Sequence, residues 1–306
     1  MKKIMKIASS DGKTTLNIVA WRPDGKVKAV LQIAHGVTEY IERYEEFAQF
    51  MNERGIYVVG NDHIGHVHSI AYGEEPMYFS NWNYTVKDLY SVYGFTKDEY
   101  PDVPYFLMGF SMGSFMVRQF LIDYPSKVDA TIIMGTGQQS WLNIVLGKMM
   151  ANAEAKKVGE EHGSPGVDKL TFETYNNFFK PNRTEMDWLC ACETALDQYI
   201  ADPMRGKHMS AGLFREMLNG MLYTSKKRNI SKMDKDIPVL FLSGDKDPVG
   251  NQGKGVKKAY NAFKKSGIKD VTLKLYPGLR HDILHEEIHK EIYEDIYNWI
   301  SKKTAQ

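Results

Sequence analysis

The five residues Gly109-Phe110-Ser111-Met112-Gly113 set a hydroxyl nucleophile between two glycines. A serine at the tip of a strand-to-helix turn needs such small neighbours, because the backbone there is crowded. The turn lifts the hydroxyl above the sheet, and the helix N-terminus behind it favours developing negative charge. The chemistry would be acyl transfer through a covalent intermediate. Such a serine needs a base to take its proton and a carboxylate to orient the base. Downstream, Ser243-Gly244-Asp245-Lys246-Asp247-Pro248-Val249 offers two acids, and Tyr276-Pro277-Gly278-Leu279-Arg280-His281 offers an imidazole. Pro248 pushes Asp247 towards an extended backbone that projects a side chain from a loop. Asp245, after Gly244, better suits a hydrogen bond within its own turn. Asp247 is therefore favoured, with Asp245 as the alternative.

Two histidine-rich stretches suggest a rival chemistry. NDHIGHVHSI (61–70) packs Asp62, His63, His66 and His68 together, and RHDILHEEIHK (280–290) spaces His281, His285 and His289 at i, i+4 and i+8. The second comes close to the zinc-helix pattern HExxH. His281, however, precedes the final helix, while His285 and His289 are expected inside it. One imidazole cannot serve both as base to a serine and as zinc ligand. No metal and no other cofactor is expected.

These groups can act only if the fold brings them together. Short apolar runs at 29–34, 56–60, 105–108, 130–134, 238–242 and 271–275 read as buried strands. Between them, 41–54, 83–99, 112–123, 254–265 and 284–301 read as amphipathic helices. Strand and helix alternating in this way imply an α/β fold, a mostly parallel sheet covered on both faces. The rhythm breaks after the fourth of these runs, 130–134. From 136 to 235 the segments 141–155, 168–179, 185–199 and 210–224 look helical and none looks like a strand. The expectation is one core formed by 1–135 and 236–306, with a helical cap at 136–235. The Ser111 motif then follows a strand and precedes a helix. Asp247 and His281 follow the last two strands, at the same rim of the sheet.

The oxyanion of an acyl-transfer intermediate needs two backbone N–H donors. Met112, after the nucleophile, supplies one, and Val37 in His35-Gly36-Val37 supplies the other from the loop after the first apolar run. His35, Gly36, His66, Gly109 and Gly113 are expected to support the site. The cap is rich in Met and aromatic side chains, and most should pack its helices together. Met149, Phe178, Trp188 and Phe214 are the candidates to line an apolar channel above Ser111.

Bulk properties agree with a soluble enzyme. The 306 residues are 43% hydrophobic and 25% charged with a net charge of +1, which gives no reason to expect nucleic acid or an anionic membrane as partner. Cys190 and Cys192 lie two apart, a spacing ill-suited to a mutual bridge. No apolar run has the length of a signal peptide core or a membrane span, so a cytoplasmic location without stable membrane insertion is expected. A homo-oligomer is left open.

With HGVTEYIERYEEFAQFM, NDHIGH, GFSMGS, LSGDKDPVG and YPGLRHDILHE in view, the chain resembles the α/β-hydrolases of the monoacylglycerol lipase and lysophospholipase type, also grouped as serine aminopeptidase-like hydrolases. The resemblance implies an α/β-hydrolase fold with Ser111 as nucleophile, Asp247 as acid and His281 as base. It implies Val37 and Met112 as oxyanion donors, and a cap that shapes an acyl tunnel for a small ester or lipid substrate. An aminopeptidase-like activity, or an esterase for short-chain or phenolic esters, is the alternative. The peptidase reading would use Glu185, Asp187, Glu193 and Asp197 to hold a substrate amine. Three positions depart from the family pattern: Ile64 replaces an arginine, Val67 a glycine, and Phe110 a histidine.

Overall fold

The computed structural model describes residues 1–304. Its frame is an eight-stranded sheet in the order β1-β2-β4-β3-β5-β6-β7-β8. The strands are β1 (Lys2–Ala8), β2 (Thr15–Trp21), β3 (Ala29–Ala34), β4 (Ile56–Asn61), β5 (Tyr105–Phe110), β6 (Ala130–Met134), β7 (Val239–Gly244) and β8 (Val271–Tyr276). β1 pairs with β2, and β2 with β4, in antiparallel register, and the remaining pairs are parallel. The first two strands were not anticipated. β1 is a polar edge whose lysines alternate with Met and Ile, and only its pairing with the buried β2 makes it a strand.

Helices cover both faces. α1 (Glu45–Asn52) and α11 (His289–Thr304) close one, while α2 (Trp82–Glu99), α3 (Met112–Asp123) and α10 (Lys254–Lys265) close the other. Strand side chains alternate between these layers as the pleat requires. Tyr105 and Leu107 of β5 enter the α2–α3 side, and Phe106, Met108 and Phe110 enter the α1–α11 side. β3 lies between β4 and β5, so the chain leaves it in one direction and returns on the other. Crevices at the carboxyl ends of strands form at such reversals, and the loops after β3 and β5 meet there.

Between β6 and β7 the described chain adds no strand to the sheet. It forms α4 (Trp141–Val158), the short turns α5 (Pro165–Asp168) and α6 (Thr174–Asn176), then α7 (Glu193–Ala201), α8 (Ala211–Ser225) and α9 (Lys227–Ile230). The helix expected over 185–199 begins only at Glu193, because Asp187 bends the preceding chain by accepting from the Arg183 and Thr184 N–H groups.

The final helix also starts late, at His289 rather than near 284. The buried Glu286 carboxylate accepts from the N–H groups of Arg280, Ala191 and Cys192, and the Asp282 N–H donates to Leu189 O. These tertiary bonds take 282–288 out of α-helical geometry and leave a single 3₁₀ turn at Ile283–His285. The three histidines of RHDILHEEIHK consequently diverge: His285 turns to Asp282, and His289 Nδ1 to Glu286 O.

Candidate active site

Ser111 stands between β5 and α3 with φ 51° and ψ −117°, a strained backbone for a residue with a Cβ. Its N–H donates to Met134 O at 3.0 Å, which ties the turn to β6. The turn also sits directly on the end of β3. Gly113 N–H donates to His35 O at 3.1 Å, and a Cβ on Gly113 would collide with the Ala34 carbonyl. A Cβ on Gly109 would in turn strike the Gly113 carbonyl, so both flanking glycines are set by close approach.

Asp247, not Asp245, lies beside His281. Asp247 is fully buried, and its Oδ1 is 3.0 Å from His281 Nδ1 in a bent contact. Its carboxylate is held by the Val249 N–H on Oδ1 and the Ser243 hydroxyl on Oδ2. Asp245 instead accepts from Gly278 N–H and braces the loop that carries His281. The His281 ring is clamped between Phe110 of the core, centroids 4.8 Å apart, and Trp188 of the cap, 5.2 Å apart. His281 Nε2 has no partner among the described residues. Ser111 and His281 share the wall of a small recess with Gly36, Val37, Thr38, Glu39, Tyr199 and Asp282.

The loop after β3 is built by buried side chains. Glu39 accepts from Gly36 N–H at 2.5 Å, His35 Nδ1 lies 2.7 Å from Gly36 O, and His66 Nε2 lies 2.6 Å from Val37 O. The rings of His35 and His63 lie 4.0 Å apart, and those of His35 and His66 5.2 Å apart. His63 and His66 of NDHIGHVHSI thus form a support beneath the site, while His68 is exposed. Of the departures from the family pattern, Ile64 joins the α2–α3 core, Phe110 packs on His281, and Val67 takes φ 40°, an unusual value for a β-branched residue.

Burial holds His35 and His66 below the usual histidine range and His63 at about 3, reinforced by neighbouring imidazoles at His35 and His63. These pKa values are depressed, so the unfolded chain binds the extra protons. Their stabilisation is complete above the unfolded value and is lost as pH falls towards the folded values. Buried Glu39, Asp62 and Asp88, raised by burial, titrate with the opposite sign. So does His285, where burial opposes but Asp282 prevails in raising the pKa. The clean measurement is therefore a difference. Urea unfolding of His63→Phe against wild type between pH 6 and 4 should show a shallower loss of stability, by up to ~1.4 kcal/mol per pH unit. Parallel curves would refute the neutral, buried state of His63.

Above Ser111 opens a largely apolar cavity of about 350 Å³. Val37, Ser111 and Met112 form its floor, and Ile144, Leu146, Met150, Phe172, Tyr175, Trp188, Met209, Phe214 and Met217 are among its walls. Trp188 and Phe214 are where the sequence places them. Met149 and Phe178 are not, being 64% and 56% exposed and absent from the lining. On α4, Ile144 and Ala151 mark the inward face, and Met149 falls about 140° from Ile144 around the helix. Its neighbour Met150 reaches the cavity instead. Phe178 lies in a 3₁₀ turn whose next residue, Phe179, packs under Arg280.

Polar side chains border the small recess together with Phe110, Trp188 and Leu189. Arg43 Nη2 is 3.2 Å from Asp282 and its Nε 3.4 Å from Glu39, with the Tyr199 ring 4.5 Å from the guanidinium. Thr38 and Tyr199 hydroxyls are 2.6 Å apart. Sequence reading missed this cluster because its members come from three separate stretches of chain. The cap acids Glu185, Asp187, Glu193 and Asp197 line neither space. Glu185, Glu193 and Asp197 pair with Arg205 and Arg183 at the surface, and Asp187 is buried on the local Arg183 and Thr184 N–H groups.

Comparisons with known proteins fit this arrangement. The family model described as serine aminopeptidase, S33, matches residues 25–288. The monoglyceride lipase of Rattus norvegicus is 27% identical over 268 residues, 85% of this chain and 78% of that protein. The monoacylglycerol lipase of Mycolicibacterium smegmatis is 27% identical over 285 residues, 92% of this chain and 90% of that protein. Among solved structures, a thermostable carboxyl esterase from Bacillus coagulans superposes with a TM-score of 0.90 at 22% identity, over 99% of both chains. With a mostly parallel sheet, the serine turn after β5 and a family match spanning most of its length, this chain belongs to the serine aminopeptidase S33 family and has the α/β-hydrolase fold.

Proposed function

We propose that the protein is a carboxylic ester hydrolase acting on monoacylglycerol-like lipid esters through an acyl-enzyme. The observation that carries this reading is the largely apolar cavity of about 350 Å³ that opens at Ser111, with hydrogen-bonding side chains around the small recess next to it. An acyl chain suits the first. Around the second, Thr38, Glu39, Tyr199 and Asp282 offer hydrogen-bonding groups to the leaving alcohol. The named lipases that the chain is similar to support the same assignment.

In this reading His281 takes the Ser111 proton through Nε2, and the serine oxygen attacks the ester carbonyl. The N–H groups of Val37 and Met112 hold the oxyanion. Met112 opens α3, so its N–H lacks an intrahelical acceptor, and Val37 N–H donates to nothing among the described residues. His281 then protonates the leaving alcohol, water attacks the acyl-enzyme, and Ser111 recovers its proton. Asp247 orients His281 throughout. The peptidase alternative wants free carboxylates beside the scissile bond, and the cap acids proposed for that role lie elsewhere.

The test is a p-nitrophenyl ester series from acetate upward, with fluorophosphonate labelling of Ser111. Each buried methylene contributes up to ~0.8 kcal/mol, so kcat/KM should rise by up to roughly fourfold per CH₂ until the cavity is full. A series peaking at acetate, or labelling elsewhere, would overturn the proposal.

A further inference from the structure

Three of the four polar backbone groups of Gly36 and Val37 are bonded by buried side chains. Gly36 N–H goes to Glu39, Gly36 O faces His35 Nδ1, and Val37 O faces His66 Nε2. The fourth, Val37 N–H, donates to nothing among the described residues and borders both the cavity and the recess that contain Ser111. Gly36 C=O and Val37 N–H belong to one peptide unit. That unit is planar and trans, so its C=O and N–H point in opposite directions. Whatever grips the carbonyl therefore aims the N–H.

We propose that His35 is a positioning residue: its Nδ1–H holds the Gly36 carbonyl and thereby points the Val37 N–H at the oxyanion. This rests on the reading of Val37 as an oxyanion donor. The tautomer is set by a second bond. The backbone N–H of His63 donates to His35 Nε2 at 3.0 Å, so Nε2 must present its lone pair and the proton of the neutral ring sits on Nδ1. The ring is fully buried and packed against His63, centroids 4.0 Å apart and planes 32° apart, which leaves it no freedom to turn away. Gly36 completes the arrangement, since a Cβ there would press on Phe110, Ser111 and Glu39. NDHIGHVHSI thereby acquires a role at the reaction centre without touching substrate: it dictates which nitrogen of His35 carries the proton.

The experiment compares His35→Asn, His35→Gln and His35→Leu in the full chain. An asparagine amide can place a donor near the Nδ1 position, whereas a glutamine amide reaches the Nε2 position and leaves Gly36 O unpaired. His35→Asn should keep kcat within about fivefold of wild type, while Gln and Leu should lose about 10²–10³ in kcat, the usual cost of an oxyanion donor. KM should stay nearly constant. The inhibition constant of a trifluoromethyl ketone, which forms the oxyanion adduct, should rise by the same factor as kcat falls. A role confined to stability would not move these two together. Should His35→Leu fail to fold, the Asn–Gln pair decides. Equal activity of Asn and Gln, or an inhibition constant that stays put while kcat falls, overturns the inference alone. Failure of a fluorophosphonate to label Ser111 in the wild type removes the serine-hydrolase reading and this inference with it.

Discussion

Replacing Ser111 by alanine should reduce kcat by about 10⁶ while leaving the protein folded. Removing the hydroxyl removes the covalent route, and the remaining oxyanion donors and cavity contribute only a residual rate. Stability should change little, within about ±0.5 kcal/mol, because the substitution changes no backbone requirement. The Ser111 hydroxyl makes no hydrogen bond among the described residues, and alanine meets the same φ of 51° as serine did. The measurements are kcat on a medium-chain ester, loss of fluorophosphonate labelling, and an unchanged urea midpoint. A variant within tenfold of wild type would show that another residue is the nucleophile.

The second large effect concerns Asp247, and the structure separates two substitutions there. Asp247→Ala removes the acceptor that orients His281 and should cost about 10⁴ in kcat. Asp247→Asn should cost far less. The Val249 N–H donates to the same Oδ1 that lies 3.0 Å from His281 Nδ1, so an asparagine places its oxygen there and its NH₂ towards Ser243. The imidazole keeps its tautomer and loses only the charge that steadies the imidazolium. A hydrogen bond to a charged group contributes about 1.5–3 kcal/mol, which corresponds to roughly 10–10²-fold in rate. If Asn proves as damaging as Ala, the amide has flipped and the Val249 anchor does not control it.

The fold and the candidate site were legible wherever one local rule sufficed. The Gly109–Gly113 motif needs a strand before it and a helix after it, and both stand in the adjacent sequence. Buried parallel strands read as apolar runs, so β3 to β8 were visible. β1, half polar and at an edge, was not. Histidine spacing in 280–290 misled because helical periodicity was assumed where Glu286 and Leu189 impose tertiary hydrogen bonds. Met149 and Met150 are adjacent and chemically identical, and only the rotation of α4 against α8 decides which faces the cavity.

The sequence by itself determined the α/β architecture and the serine turn, because strand, helix and turn each depend on neighbours a few residues apart. Tertiary structure alone decided what the remaining groups do. Glu39 meets Asp282 through Arg43, Trp188 closes on His281, and His63 sets the proton on His35 across 28 positions of chain. The physical reason is that a hydrogen bond or an ion pair has no memory of sequence distance. Its partner is chosen by the crevice between β3 and β5, and that crevice exists only once the sheet has formed.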